Sequence, residues 1–134
     1  MVDAGPLYAY VDADDRHHGQ SLELLLTHPG PLIIPTLVIT EVVYLIGSRL
    51  GADAEVRFLG DLAAGEFTVE PVRAGDWLRI AEFVHQYRDL PLGSVDASVV
   101  AAAERLDVTE IATLDRKHFS IVRPAHVHSF ELLP

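Results

Sequence analysis

Four carboxylates stand in apolar surroundings that carboxylates normally avoid. Asp3 ends the first apolar stretch, and Glu41 interrupts the apolar run of residues 36–46. Asp96 opens the segment from Val95 to Leu106, and Asp115 closes the strand-like Ile111-Ala-Thr-Leu114. Acidic side chains are seldom buried unless paired, and an unpaired one either costs several kcal/mol or takes up a proton. The four segments carry few basic residues of their own, so the missing positive charge is read as a hard divalent cation. Such an ion takes oxygen ligands, usually one or two carboxylates with water and phosphate in the remaining positions.

The elements that must position these acids follow from the pattern of apolar residues and breaks. Met1 to Ala4 reads as the end of a strand, with Gly5-Pro6 turning into a helix over residues 7–11. Asp12-Ala-Asp-Asp15 offers capping chemistry for a second helix at about 17–27. His28-Pro-Gly-Pro31 is a stop, Leu32 to Ile34 a buried strand, and Pro35-Thr36 the start of a long helix to about Leu50. Gly51 ends it, and Asp53 can cap the next helix, which runs to about Ala64. A strand over 67–70 leads to a helix from about Ala74 to Arg88, whose Trp77, Ile80, Phe83, Val84 and Tyr87 are spaced for one apolar face. A loop at 89–94 leads to the helix at 95–106 and a strand at 108–114. Val127 to Leu132 forms a last short strand or covers an edge. Short apolar strands alternating with helices predict a parallel sheet with both faces covered. Ligands of such sheets bind beyond the carboxyl ends of the strands, near the point where strand order reverses. Asp3 and Asp115 both fall at strand carboxyl ends.

Each acid also has an ordinary structural explanation. Asp3 precedes a turn, and Asp115 can cap the segment that follows it. Asp96 lies in a first helical turn, where the dipole favours negative charge. Yet Val99, Val100 and Ala103 follow Asp96 at three, four and seven positions, which puts it on the core-facing side. Glu41 has Leu37 and Leu45 four residues to either side, on an apolar stripe rather than a solvated face. Thr113 can hold an aspartate through its hydroxyl or orient a water.

Bulk properties narrow the function classes. The 134 residues suit one domain, 1–134, with a real core. There is no cysteine, which excludes disulfides, Cys-based zinc sites and thiol nucleophiles. No apolar stretch approaches the ~20 residues of a membrane span, and the first residues lack signal-peptide character, so a cytoplasmic location is expected. A net charge of −10 argues against gripping long nucleic acid through a broad basic face. It is compatible with an acidic metal site and with a basic protein partner. His17-His18 and His126-x-His128 lack complementary zinc-ligand spacing and read as surface or cap residues.

The pieces Val2-Asp-Ala4, Pro35-Thr-Leu-Val-Ile-Thr-Glu41-Val-Val-Tyr44, Leu92-Gly-Ser-Val-Asp96-Ala-Ser-Val99 and Ala112-Thr-Leu-Asp115-Arg-Lys-His-Phe119 resemble the PIN domain, and more narrowly the VapC-type toxins of bacterial toxin–antitoxin pairs. The resemblance covers almost the whole chain in matching order. It implies a three-layer α/β/α domain with a central, mainly parallel sheet of four to five strands. It also implies a metal-dependent endoribonuclease that hydrolyses RNA phosphodiesters through a metal-activated water, leaving 5′-phosphate and 3′-hydroxyl ends. The implied cofactor is Mg²⁺, with Mn²⁺ as substitute. Asp3 and Asp96 are expected as principal ligands, with Glu41 and Asp115 acting directly or through water. Thr113 and Arg116 would support the site, and Arg116-Lys117 could hold the RNA backbone. The resemblance gives His118 a structural place beside Phe119. A VapB-type antitoxin that puts an arginine or lysine into the acidic pocket is the implied partner, and a homodimer the implied assembly. The stripe of Tyr8, Val11 and residues 22–26 is either core or a groove for the antitoxin helix.

Three other readings compete with this one. One is a PIN nuclease of RNA processing with no antitoxin. Another is a PIN fold that binds without cutting, against which the presence of all four acids argues. The last is a Mg²⁺-binding receiver-like signalling domain, which needs an acid pair after its first strand, whereas Asp14-Asp15 comes only after an intervening helix.

Overall fold

The structure, a computed structural model, describes residues 1–134. Its helices are α1 (Ala4–Val11), α2 (His18–Thr27), α3 (Thr36–Leu50), α4 (Ala52–Ala64), α5 (Ala74–Gln86), α6 (Ser94–Leu106) and α7 (Arg116–Ile121). Its strands are β1 (Ile33–Pro35), β2 (Thr68–Glu70), β3 (Glu110–Ala112) and β4 (Glu131–Leu133). β1 pairs with β2 and β3 with β4, both parallel. Met1 to Asp3 joins the two pairs. Val2 N–H donates to Ile33 O at 2.8 Å, Asp3 N–H donates to Ala112 O at 2.9 Å, and Ala112 N–H donates to Met1 O at 2.8 Å. The bridge between Val2 and Ala112 is parallel. The result is a run of five extended segments in the order β2, β1, Met1–Asp3, β3, β4.

From the central segment the chain moves outward through β1 to β2, then returns across the sheet to β3 and β4. Parallel connections cross over right-handed. The outward connections therefore place α1–α4 on one face, and the returning ones place α5–α7 on the other. Within each group α1 lies against α2 and α3, α3 against α4, and α5 against α6, while α3 also meets α6. Strand direction reverses its advance at Asp3, the place where a parallel sheet opens a crevice at its carboxyl edge.

Local chemistry accounts for several departures from the pattern read in the sequence. Gly5-Pro6 is not a turn, because α1 begins at Ala4 and passes through both residues. A proline is tolerated in the first helical turn, where N–H groups have no intrahelical partner to lose. β1 is shifted by one residue and includes Pro35. Asp53 lies inside the first turn of α4, and Gly51, at φ 91°, occupies the cap in a conformation other residues resist. Residues 131–133 pair as a true strand rather than merely covering an edge.

The largest departure is on α5. Ile80 and Phe83 are buried as the periodicity requires, but Trp77 is 54% exposed, and its neighbour Asp76 is buried instead. Asp76 accepts from Arg105 Nε at 3.0 Å and Nη2 at 3.0 Å, and from the backbone N–H of Arg73 at 2.9 Å. Burial works to raise its pKa, but the Arg105 hydrogen bonds, the Arg73 amide and the two guanidinium charges outweigh it and hold the carboxyl below its usual range. Arg105 also meets Glu70 at 2.9 Å, so one guanidinium ties α6 to α5 and to the end of β2. α6 itself is buried from Ala97 through Ala103, and its small side chains let it sit close to the sheet and to α5.

Breaking a buried ion pair from one side leaves the other charge uncompensated. Asp76→Ala should therefore lower unfolding stability by about 2–4 kcal/mol. A urea titration checks this, with native far-ultraviolet dichroism retained before the transition.

Candidate metal centre

All four acids singled out in the sequence face one open cleft at the carboxyl edge of the sheet. Its volume is about 730 Å³, and Asp3, Glu41, Asp96 and Asp115 line it with Gly5, Leu45, Leu114, Arg116 and Lys117. Each acid comes from a different element: the end of the central segment, the second turn of α3, the first turn of α6, and the cap of α7. Gly5 contributes by its size. A β-carbon there would stand 3.2 Å from Leu114 Cβ, so glycine lets α1 start close against the turn that carries Asp115.

Asp3 is buried. Its Oδ2 accepts from the Thr113 hydroxyl at 2.8 Å, and Thr113 Oγ1 in turn accepts the Asp115 N–H at 3.0 Å. Of the two roles read for Thr113, holding an aspartate is the one realised. Burial raises the Asp3 pKa, with Asp115 adding to the rise while the Thr113 hydrogen bond and His118 oppose it. Asp96 is pushed up to about 6, first by burial and then by the Asp3 charge, against the attraction of His118. Glu41 lies on the solvent-exposed edge of its helical stripe rather than within it. It rests on the cleft wall, where surrounding atoms and then the Asp3 charge raise its pKa. None of these three has an arginine or lysine partner.

Asp115 caps α7 by accepting the His118 N–H at 3.0 Å, so its structural explanation and its place in the site hold together. His118 joins the acids at this site, a placement the sequence reading did not anticipate. It does not merely pack beside Phe119: its Nδ1 lies 3.0 Å from Asp96 Oδ2 and 2.8 Å from Asp115 Oδ2. The donor atoms of Asp96, Asp115 and His118 all lie within 4.8 Å of one another. The signal was present as Asp115-x-x-His118, because side chains three apart share one helix face.

Arg116 and Lys117 stand exposed at the rim, and the Arg116 guanidinium donates to the Pro134 carbonyl. Of the other histidines read as surface or cap residues, His128 is exposed and His17 takes the N-cap position of α2 without a side-chain cap bond, whereas His18 and His126 are half-buried with ring nitrogens on Ala9 O and Val108 O. Of the stripe on α1 and α2, Tyr8 and Leu25 are core, while Leu26 is exposed. No helix is long and apolar enough to cross a membrane.

An acid whose folded pKa is raised binds its proton more tightly when folded, so its stabilising contribution is present at low pH and lost as pH rises through the folded value. For Asp96 that window lies between its ordinary 3.8 and about 6. Metal-free protein should melt at higher temperature near about pH 5 than near about pH 8. Asp96→Asn should remove its share of that difference, leaving what Asp3 and Glu41 contribute, and raise the melting temperature at about pH 8 by ~3–5 °C, allowing for solvent that still reaches the group. Calorimetry at the two pH values checks both.

Residues 1–123 match the family model described as PIN domain. Ribonuclease VapC26 of Mycobacterium tuberculosis (strain ATCC 25618 / H37Rv) is 34% identical over 134 residues, which is 100% of this chain and 99% of that protein. The crystal structure of Mycobacterium tuberculosis VapC20, a Sarcin-Ricin loop cleaving toxin, is similar with a TM-score of 0.77. That likeness spans 82% of this chain and 85% of that one at 22% sequence identity, and it speaks for the fold. Sheet order, the acidic crevice at its switch point and the match over most of the sequence agree: the chain belongs to the PIN domain family.

Proposed function

We propose that this chain is a metal-dependent endoribonuclease and the toxin of a type II toxin–antitoxin pair, formed by a single PIN domain over residues 1–134. The observation that carries the reading is the cleft in which Asp3, Glu41, Asp96 and Asp115 converge without an arginine or lysine paired to Asp3, Glu41 or Asp96. The donor set fits a hard cation, since it consists of carboxylate oxygens with one imidazole nitrogen and no thiolate. Mg²⁺, with Mn²⁺ as substitute, is the cation proposed. The similarity to a ribonuclease over the full chain length supports the substrate class.

Asp3 and Asp96 would hold the ion, with Glu41 and Asp115 completing its shell directly or through water. When bound, such an ion supplies a nucleophile at neutral pH and offsets the charge that gathers on the phosphoryl oxygens. The chain's own residues do the positioning. Thr113 fixes the Asp3 carboxylate, and its second hydrogen bond fixes the turn that presents Asp115. Glu41, at the wet edge of α3, would orient water or complete a second site. Arg116 and Lys117 line the rim, where a polyanion would approach, and they supply positive charge beside the acids. Because net charge is −10, a basic VapB-type antitoxin that inserts an arginine or lysine among the acids is the fitting inhibitor, and the toxin itself is proposed to be a homodimer.

Cleavage of total cellular RNA by purified protein tests the reading. Discrete fragments with 5′-phosphate ends are expected with Mg²⁺ or Mn²⁺ and none with chelator. Asp96→Asn should lower the rate by at least ~100-fold. A folded, metal-loaded protein that leaves all RNA intact would overturn it. Thr113→Val keeps shape but removes both hydrogen bonds at Asp3 and Asp115, and should cost about 10–100-fold in rate while the protein stays folded. Single-turnover kinetics beside a melting curve separate those two effects.

A further inference from the structure

We propose that His118 supplies a nitrogen ligand to the cation, through Nδ1 beside Asp96 and Asp115, and thereby biases the centre toward manganese(II) over magnesium. The inference rests on the metal reading above and extends it to a residue outside the four acids.

The placement follows from the local chain. Asp115 caps α7, and His118 is the third residue of that helix, so the His118 N–H to Asp115 Oδ1 bond of 3.0 Å fixes the backbone beneath the ring. Phe119, wholly buried next to it, anchors α7 in the core and limits how far the imidazole can swing. The ring nitrogen then stands 2.8 Å from an oxygen of Asp115 and 3.0 Å from an oxygen of Asp96, which arrives from α6. Neighbouring ligands of an octahedral ion bound at 2.0–2.1 Å stand roughly 3 Å apart. The nitrogen-to-oxygen separations here match that spacing. One Nδ1–H proton, by contrast, can serve two carboxylates only by being shared between them. With its proton on Nε2, the ring would present the Nδ1 lone pair between the two acids, facing the space the cation would occupy.

A nitrogen in the shell has a chemical consequence. Carboxylate and water suit magnesium, whereas imidazole favours the transition ions, which bind mixed nitrogen and oxygen sets more tightly. A centre built only from the four acids would discriminate less.

Pulsed electron paramagnetic resonance on the full chain loaded with Mn²⁺ tests this directly. A ¹⁴N modulation typical of a coordinated imidazole is expected, and it should change to the ¹⁵N pattern when the protein is grown with ¹⁵N-histidine. In folded His118→Gln the modulation should vanish. The Mn²⁺ dissociation constant should then rise by ~10-fold or more, while that of Mg²⁺, measured by competition, moves less than about threefold. Bound Mn²⁺ without nitrogen modulation, or modulation that survives His118→Gln, would overturn the assignment of His118 and leave the acidic centre standing. No Mn²⁺ binding at all by folded protein would overturn the metal centre itself, and this inference with it.

Discussion

The pairing of Met1–Asp3 between β1 and β3 is the constraint on which the remaining architecture depends. Hydrogen bonds from Val2 to Ile33, from Asp3 to Ala112, from Ala112 to Met1 and from the Met1 nitrogen to Glu110 unite two short two-stranded pairs into one sheet. A segment so short cannot be held by its own length, since strand stability comes from neighbours on both sides and from burial. Val2 is buried against the same core as Ile34 and Ile111, so the tripeptide is locked by packing as well as by its hydrogen bonds. Once it is fixed, the carboxyl end of the central segment is fixed, and Asp3 can point only into the crevice between the two halves.

The crevice is thus an electrostatic liability imposed by topology. A buried carboxylate at its base raises the proton affinity of both Asp96 and Glu41 across the cleft. Hydrogen bonding from Thr113 and the imidazole of His118 offset part of this, but neither is a full counter-charge fixed in place. Sites of this kind are maintained at some cost to stability because their function needs the unbalanced charge. The small side chains of α6 and the close seat of Gly5 against Leu114 let the elements approach closely enough for four separate acids to converge.

Much of this was legible in the sequence. The acids were visible because each broke an apolar pattern, and the strand-ending positions of Asp3 and Asp115 were visible because parallel strands are short and uniformly apolar. Helix limits were recovered to within a few residues, since Gly51, Gly65 and the residues around Pro29 and Pro31 mark stops with little ambiguity. What escaped had partners distant in sequence. Asp76 is one such residue, because nothing local reveals its partner Arg105, 29 residues away. Trp77 fitted the apolar period but faces solvent, since the period alone does not say where a neighbouring layer ends. His118 was discounted for a similar reason: its role depends on Asp96, 22 residues earlier and on another helix.

Set side by side, the five acids of this chain whose pKa is displaced fall into two groups. At Asp76 and Glu104, burial alone would raise the pKa, yet Arg105 and Arg79 respectively overcome it and hold both carboxyls low. At Asp3, Asp96 and Glu41, burial goes unanswered by any arginine, and all three are raised. The chain does not lack arginine: Arg79 grips Glu104 through two nitrogens at 2.8 Å while also reaching Glu82. Arginine is the natural partner for a carboxylate, because its planar fork satisfies both oxygens at once. Where a carboxylate serves structure, the protein supplies that fork within reach. Where it withholds the fork from three neighbouring acids on three elements, the charge is kept available for something that enters from outside.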